Sequence, residues 1–146
     1  MKRILALIIA AVIPALALFA QNEKADNILG VYKSADSSYK VKITKLADGT
    51  YKGQVCWVAE RCNANGKVFL DEKNPDKSLR NTPCDQIVLF KGLKYNADKK
   101  RWDGTKIYDP NRGLKANMTA EFSGGKTLKI RGTVMGIGET EVWTKE

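Results

Sequence analysis

The stretch Gly113-Leu114-Lys115-Ala116-Asn117-Met118-Thr119-Ala120-Glu121-Phe122 decides the fold. Leu114, Ala116, Met118, Ala120 and Phe122 alternate with Lys115, Asn117, Thr119 and Glu121. Successive side chains of a strand point to opposite faces, so this period of two marks a strand with one buried and one wet face. Ser123-Gly124-Gly125 then supplies a turn, and Thr127–Val134 repeats the pattern with Leu128, Ile130, Gly132 and Val134 on one side. Glu139–Thr144 closes the chain as a further strand. Upstream, Ile28–Ser34, Tyr39–Lys45 and Thr50–Val58 read the same way, the last two joined by the hairpin signal Asp48-Gly49. Gln86–Phe90, Leu93–Tyr95, Arg101–Trp102 and Thr105–Tyr108 read as shorter strands. No segment after residue 20 carries a helical period. The expected fold is all-β: an antiparallel up-and-down barrel of about eight to nine strands, because closure leaves no sheet edge exposed.

Working further out, the N-terminus reads as a secretory signal peptide over residues 1–20. Lys2 and Arg3 precede an apolar run from Ile4 to Ala20, broken by Pro14 and ending in small residues before Gln21. A membrane anchor is the alternative, but the run falls slightly short of the roughly 20 apolar residues of a spanning helix. Cleavage is expected after Ala20, with a short linker over residues 21–27 and one domain over residues 28–146. The protein is then exported, to the periplasm or beyond the cell. The 126 residues left would bury about 65% of their unfolded surface, enough for a core without metal or dense disulfides.

The chain carries 25 Lys and Arg against 16 Asp and Glu. Losing Lys2 and Arg3 lowers the net charge from +9 to +7. Such a charge attracts polyanions, but the cations are scattered along strands, as at Lys40, Lys42, Lys115, Lys129 and Arg131. A solvated basic surface is expected, with no nucleic-acid partner. The chain has no histidine, which removes Ser-His and Cys-His nucleophilic pairs and nearly all catalytic zinc sites. No cofactor and no metal site are expected.

Cys56, Cys62 and Cys84 meet an oxidising compartment after export. An odd count allows one internal pair. Cys62 with Cys84 is expected, since both lie in the long connection from Ala59 to Asp85, and Cys56 would stay free inside a strand. A Cys56–Cys62 bridge remains the alternative. That connection is rich in Asn, Asp, Gly and Pro and lacks a period, and loops this long tend to be functional.

Two polar segments supply the candidate site: Asp71, Asn74, Pro75, Asp76 and Arg80, and then Tyr108, Asp109, Pro110, Asn111 and Arg112. Asn74, Asp76, Arg80, Tyr108, Asp109 and Asn111 are the expected ligand-binding residues if both segments reach one rim of the barrel. Arg80 could then bridge a carboxylate from each through its planar fork. The plainer reading is that the carboxylates cap their own turns. Ala116, Ala120 and Gly132 are small and on inward faces, so the barrel either keeps a ligand cavity or is filled by neighbours such as Met118 and Phe122. Trp57, Trp102 and Trp143 read as core or plug residues, or as a sugar- or lipid-binding face.

Several runs resemble the bacterial family catalogued as domain of unknown function 2147. They are Asn74-Pro75-Asp76-Lys77-Ser78-Leu79-Arg80, Leu93-Lys94-Tyr95, Trp102-Asp103-Gly104-Thr105-Lys106-Ile107-Tyr108-Asp109-Pro110, Gly113, Leu128-Lys129-Ile130-Arg131-Gly132 and Trp143-Thr144. Gly30-Val31-Tyr32 matches the family's start, where Trp is commoner than Tyr, and resembles the Gly-x-Trp opening of lipocalins, whose aromatic plugs one barrel end. The resemblance runs from about Ile28 to Thr144, and the cysteines are not part of it. It implies an exported, lipocalin-like (calycin-like) barrel and carries no activity.

The expected function is a non-enzymatic barrel binding a small hydrophobic or amphipathic ligand in the cell envelope, most simply as a monomer associated with the envelope. Two alternatives stand beside it. One is an enzyme acting on envelope polysaccharide through Asp71, Asp76 or Asp109 with Arg80. The other is a structural or interaction protein with a filled barrel.

Overall fold

Eight antiparallel strands pair in chain order in the computed structural model, and the last pairs with the first to close a barrel. They are β1 (Gly30–Ser34), β2 (Tyr39–Lys45), β3 (Tyr51–Val58), β4 (Val88–Asn96), β5 (Arg101–Asp109), β6 (Leu114–Gly124), β7 (Thr127–Val134) and β8 (Ile137–Lys145). The structure describes residues 23–146; the expected signal peptide and its cleavage point lie outside the described residues.

The stretch Leu114–Phe122 of β6 behaves as its period of two demands. On β6, Met118 and Ala120 are buried, and they stand opposite Gly132 and Ile130 of β7. Leu128 in turn faces Trp143 on β8, and both are buried. Inward side chains of Tyr32, Val41, Ile43, Tyr51, Val55, Leu93 and Trp102 complete the core.

Two of the longer strands were legible only as halves. Gly92 divides β4 and Gly104 divides β5, at φ 83° and 87°. At each the register slips, between Lys91 and Leu93 and between Trp102 and Thr105. Each is a bulge, with one strand spending extra residues against its partner and glycine taking the left-handed conformation.

The small inward residues do not leave a void. A Cβ on Gly132 would stand 3.2 Å from the Cβ of Ala116 and 3.6 Å from Cγ2 of Ile107, so its neighbours already fill that space. The ring of Phe90 lies across Gly53 even more closely. Packed side chains fill the interior at Gly53 and Ala120, whereas Ala116 and Gly132, which pack on each other nearer the looped end, stay half-buried.

The stretch expected as a linker is instead a plug. Residues 23–26 form one helical turn, and Ala25 and Ile28 are buried. The indole of Trp102 donates to the Ala25 carbonyl at 3.1 Å, and the Tyr32 hydroxyl donates to the Ile28 carbonyl at 2.9 Å. Asp26 accepts the Tyr51 hydroxyl at 2.6 Å and pairs with Lys45 at 2.9 Å. These contacts, first the Tyr51 hydrogen bond, hold the Asp26 carboxyl below its ordinary value of 3.8. A lowered folded-state value stabilises above the unfolded value and is lost as pH falls through the lowered one. The plug is therefore expected to loosen in acid, below about pH 4. The effect is small, since Asp26 is partly exposed and solvent screens it. Near-ultraviolet circular dichroism of Trp102 should follow the loosening, and Asp26→Asn should remove that acid transition. An identical transition in the variant would refute the assignment.

Candidate functional site

The up-and-down order puts the β1–β2, β3–β4, β5–β6 and β7–β8 connections at the end opposite the plug. Both polar segments therefore reach the same end, and they touch. The Lys73 ammonium donates to the Asn111 carbonyl at 2.8 Å. A Cβ on Gly113 would meet the Lys73 carbonyl oxygen at 2.3 Å, so only glycine lets the two backbones come this close.

The centre of the contact is Asp71. It is buried, and its carboxylate accepts the Tyr108 hydroxyl at 2.6 Å and the Asn74 side-chain amide at 2.8 Å. Burial, and then the neighbouring Asp71 carboxylate, push the Tyr108 hydroxyl well above its usual range, so it stays a donor. Ile107 pairs with Ala116 on the inward face, so Tyr108, paired with Lys115, takes the outer one. Tyr108 is nonetheless buried, because the β3–β4 connection lies over it against the wall of β5.

The other expected residues serve their own turns. Asp76 accepts from the Ser78 backbone at 3.0 Å and its hydroxyl at 2.6 Å, capping a 3-10 turn over Lys77–Leu79. Asp109 accepts from the Asn111 amide at 2.9 Å and lies 3.5 Å from Arg112. The Arg80 guanidinium donates to the Asn74 carbonyl at 2.7 Å. The expected bridge from Arg80 to two carboxylates is thus replaced by a bond to the backbone of its own segment. Asn74 and Tyr108 clasp Asp71, Arg80 braces Asn74, and the carboxylates of Asp76 and Asp109 cap their own turns instead of converging beside Arg80. Among the described residues, no group of three or more metal-binding side chains comes together.

The three cysteines are free, so the expected bond between Cys62 and Cys84 is not formed here. The Cys84 thiol donates instead to the Arg61 carbonyl at 3.7 Å. Both cysteines nevertheless lie against one short segment, residues 68–70. Cys62 bridges Val68, and the Cys84 amide donates to the Phe69 carbonyl at 2.9 Å. Oxidation is expected to join Cys62 to Cys84 and leave Cys56 free, raising stability by about 3 kcal/mol in the chain-entropy model for so short a loop. Peptide mapping of oxidised protein checks the pairing, and a bridge containing Cys56 would overturn it.

The barrel mouth lies beside the clasp and was not read from the sequence. Glu141 and Glu139 stand opposite Ile130 and Gly132, on the face that Trp143 buries, yet both are exposed. A hydrogen-bonded chain leads out of the core to them: the Trp143 indole donates to the Tyr39 hydroxyl at 3.2 Å, and that hydroxyl donates to Glu141. Arg112 holds Glu139 through both oxygens, at 3.0 and 3.1 Å. Two hollows open elsewhere. One of about 330 Å³ lies by the plug, between Lys45, Tyr51 and Tyr95, and one of about 530 Å³ lies beside Phe122 and Lys145.

A closed eight-stranded meander, plugged at the end where Gly30-Val31-Tyr32 begins and looped at the other, defines a lipocalin-like barrel. The solved structure of protein HP1028 from the human pathogen Helicobacter pylori, which belongs to the lipocalin family, shares this fold. It superposes with a TM-score of 0.66 at 19% identity, over 82% of each chain. The chain belongs to the family described as "Uncharacterized protein conserved in bacteria (DUF2147)", whose sequence profile matches residues 30–145. No curated protein matches it significantly.

Proposed function

We propose that the protein is an exported, non-enzymatic barrel that binds a small hydrophobic or amphipathic molecule at its looped end. One observation carries this reading: the two ends differ. The plug seals one end with Ala25, Ile28 and Trp102. At the other, the inward positions Ala116, Gly132, Glu139 and Glu141 are half-buried or exposed. There Ile107 and Ala116 offer an apolar wall, and Tyr39 with Glu141 offers a polar one. An amphipathic molecule matches that pairing of walls. The packed interior keeps the ligand in the mouth.

Native mass spectrometry of the protein purified from its own host envelope tests both parts. The expected chain starts at Gln21 or within a few residues of it and retains a small molecule. Glu139→Trp, a change at an exposed inward position, should displace that molecule and weaken binding of a neutral polarity-sensitive dye at least tenfold, with melting little changed. An intact Met1 would refute export. A bare chain that also fails to bind the dye would refute binding.

A further inference from the structure

The lip of the barrel mouth carries four large apolar side chains in water. Val134 is 53% exposed, Met135 96%, Ile137 79% and Leu114 60%. Val134 pairs with Ile137 across the β7–β8 hairpin, and Met135 with Gly136 forms its tip. Asn117 pairs with Thr133, so the β6 strand carries Leu114 toward the same tip. Met135 sits at φ 51°. That conformation suits Asn or Gly, and an unbranched apolar residue there gains nothing for the turn itself. Contiguous exposed apolar side chains of this kind mark contact surfaces.

We propose that this lip inserts into the headgroup layer of an anionic lipid bilayer. Charge supports that occupant. Lys115 and Arg131 flank the hairpin, and neither has a carboxylate partner among the described ion pairs. Lys73, packed against Gly113, is bonded only to a carbonyl, and the chain from Gln21 onward carries +7. At the same mouth Glu139 is paired with Arg112, which leaves Glu141 against these three cations, and an excess of cations around an apolar protrusion is what anionic lipid surfaces attract. Size argues against a protein partner: four side chains fall short of the roughly 800 Å² that each side of a stable interface buries. A bilayer sets no such minimum. Docked by its lip, the barrel would present its mouth to the lipid.

Vesicle flotation tests the proposal, using the chain from Gln21 onward, which keeps the whole barrel and its plug. Vesicles of equal phosphatidylglycerol and phosphatidylcholine should carry the protein, and pure phosphatidylcholine vesicles should carry at least tenfold less. Met135→Ser with Ile137→Ser should lose at least tenfold of the binding at unchanged melting temperature. Lys115→Glu should weaken it severalfold and reduce its salt dependence. Undiminished flotation of the serine variant would overturn the proposal. So would a lack of binding to either vesicle, or a dimer in sedimentation that the serine variant dissolves.

Discussion

Replacing Asp71 by alanine is expected to cost about 3 kcal/mol, because it leaves buried donors without an acceptor. The reason is the asymmetry of buried hydrogen bonds: a donor left without an acceptor keeps its full desolvation penalty. Asp71→Ala strands two donors at once, the Tyr108 hydroxyl and the Asn74 amide. The melting temperature should fall by roughly 10 °C for a domain of this length. Asp71→Asn keeps one acceptor and should cost about half as much. Tyr108→Phe removes one donor, and the double variant should lose less than the sum of its parts by about 1 kcal/mol or more, because the two groups share a bond. Hydrogen exchange should speed up at Asp71 and Asn74, whose amides bond to Thr82 and Asp71. Dye binding at the mouth should persist, which separates a clasp from a binding site. An Asp71→Ala variant within about 0.5 kcal/mol of the parent would show that the connection does not depend on the clasp.

Trp143→Ala should be costlier still, at about 3–5 kcal/mol. The side chain is 1% exposed in the middle of the core. Its ring lies 6.4 Å from that of Tyr32 and 6.3 Å, edge-on, from that of Tyr39. Alanine would leave a cavity between β1, β2 and β8 and also remove the donor to Tyr39. Trp143→Phe should fill most of the space and cost about 1–2 kcal/mol, chiefly through the lost indole hydrogen bond. Denaturant titration measures both. A near-neutral Trp143→Ala would mean that the inward face of β8 is not what closes the core.

The sequence carries the barrel where period two runs unbroken, as along β6 and β7. It hides continuity at Gly92 and Gly104, where a bulge shifts the alternation by one residue and makes one strand look like two. The plug was hidden for another reason. Residues 23–28 are too few to show a period, and only the contacts from Trp102, Tyr51 and Tyr32 fix them. At the candidate site, local chemistry was legible: Asn, Asp and Pro cap their turns, as at Asp76 and Asp109. What Arg80 reaches depended on three-dimensional neighbours, and it found a carbonyl. Glu139 and Glu141 were legible in principle. They alternate with Trp143 on one face, and charge on a core-facing period is the mark of a wet mouth.

The closing seam has a kinetic consequence. β1 is five residues long, and its register to β8 runs over three pairs, from Tyr32 opposite Lys145 to Ser34 opposite Trp143. Those partners are separated by more than a hundred positions in sequence. Contacts between such distant residues form late, since the chain must first give up the entropy of its longest loop. During synthesis β1 emerges more than a hundred residues ahead of its β8 partners and waits for them. Until they arrive the sheet is an open ribbon with two bare edges, and the growing chain cannot lock into its final shape. A polypeptide that stays open while β8 is still to be made suits the proposed export, because an unlocked chain can be threaded through a membrane.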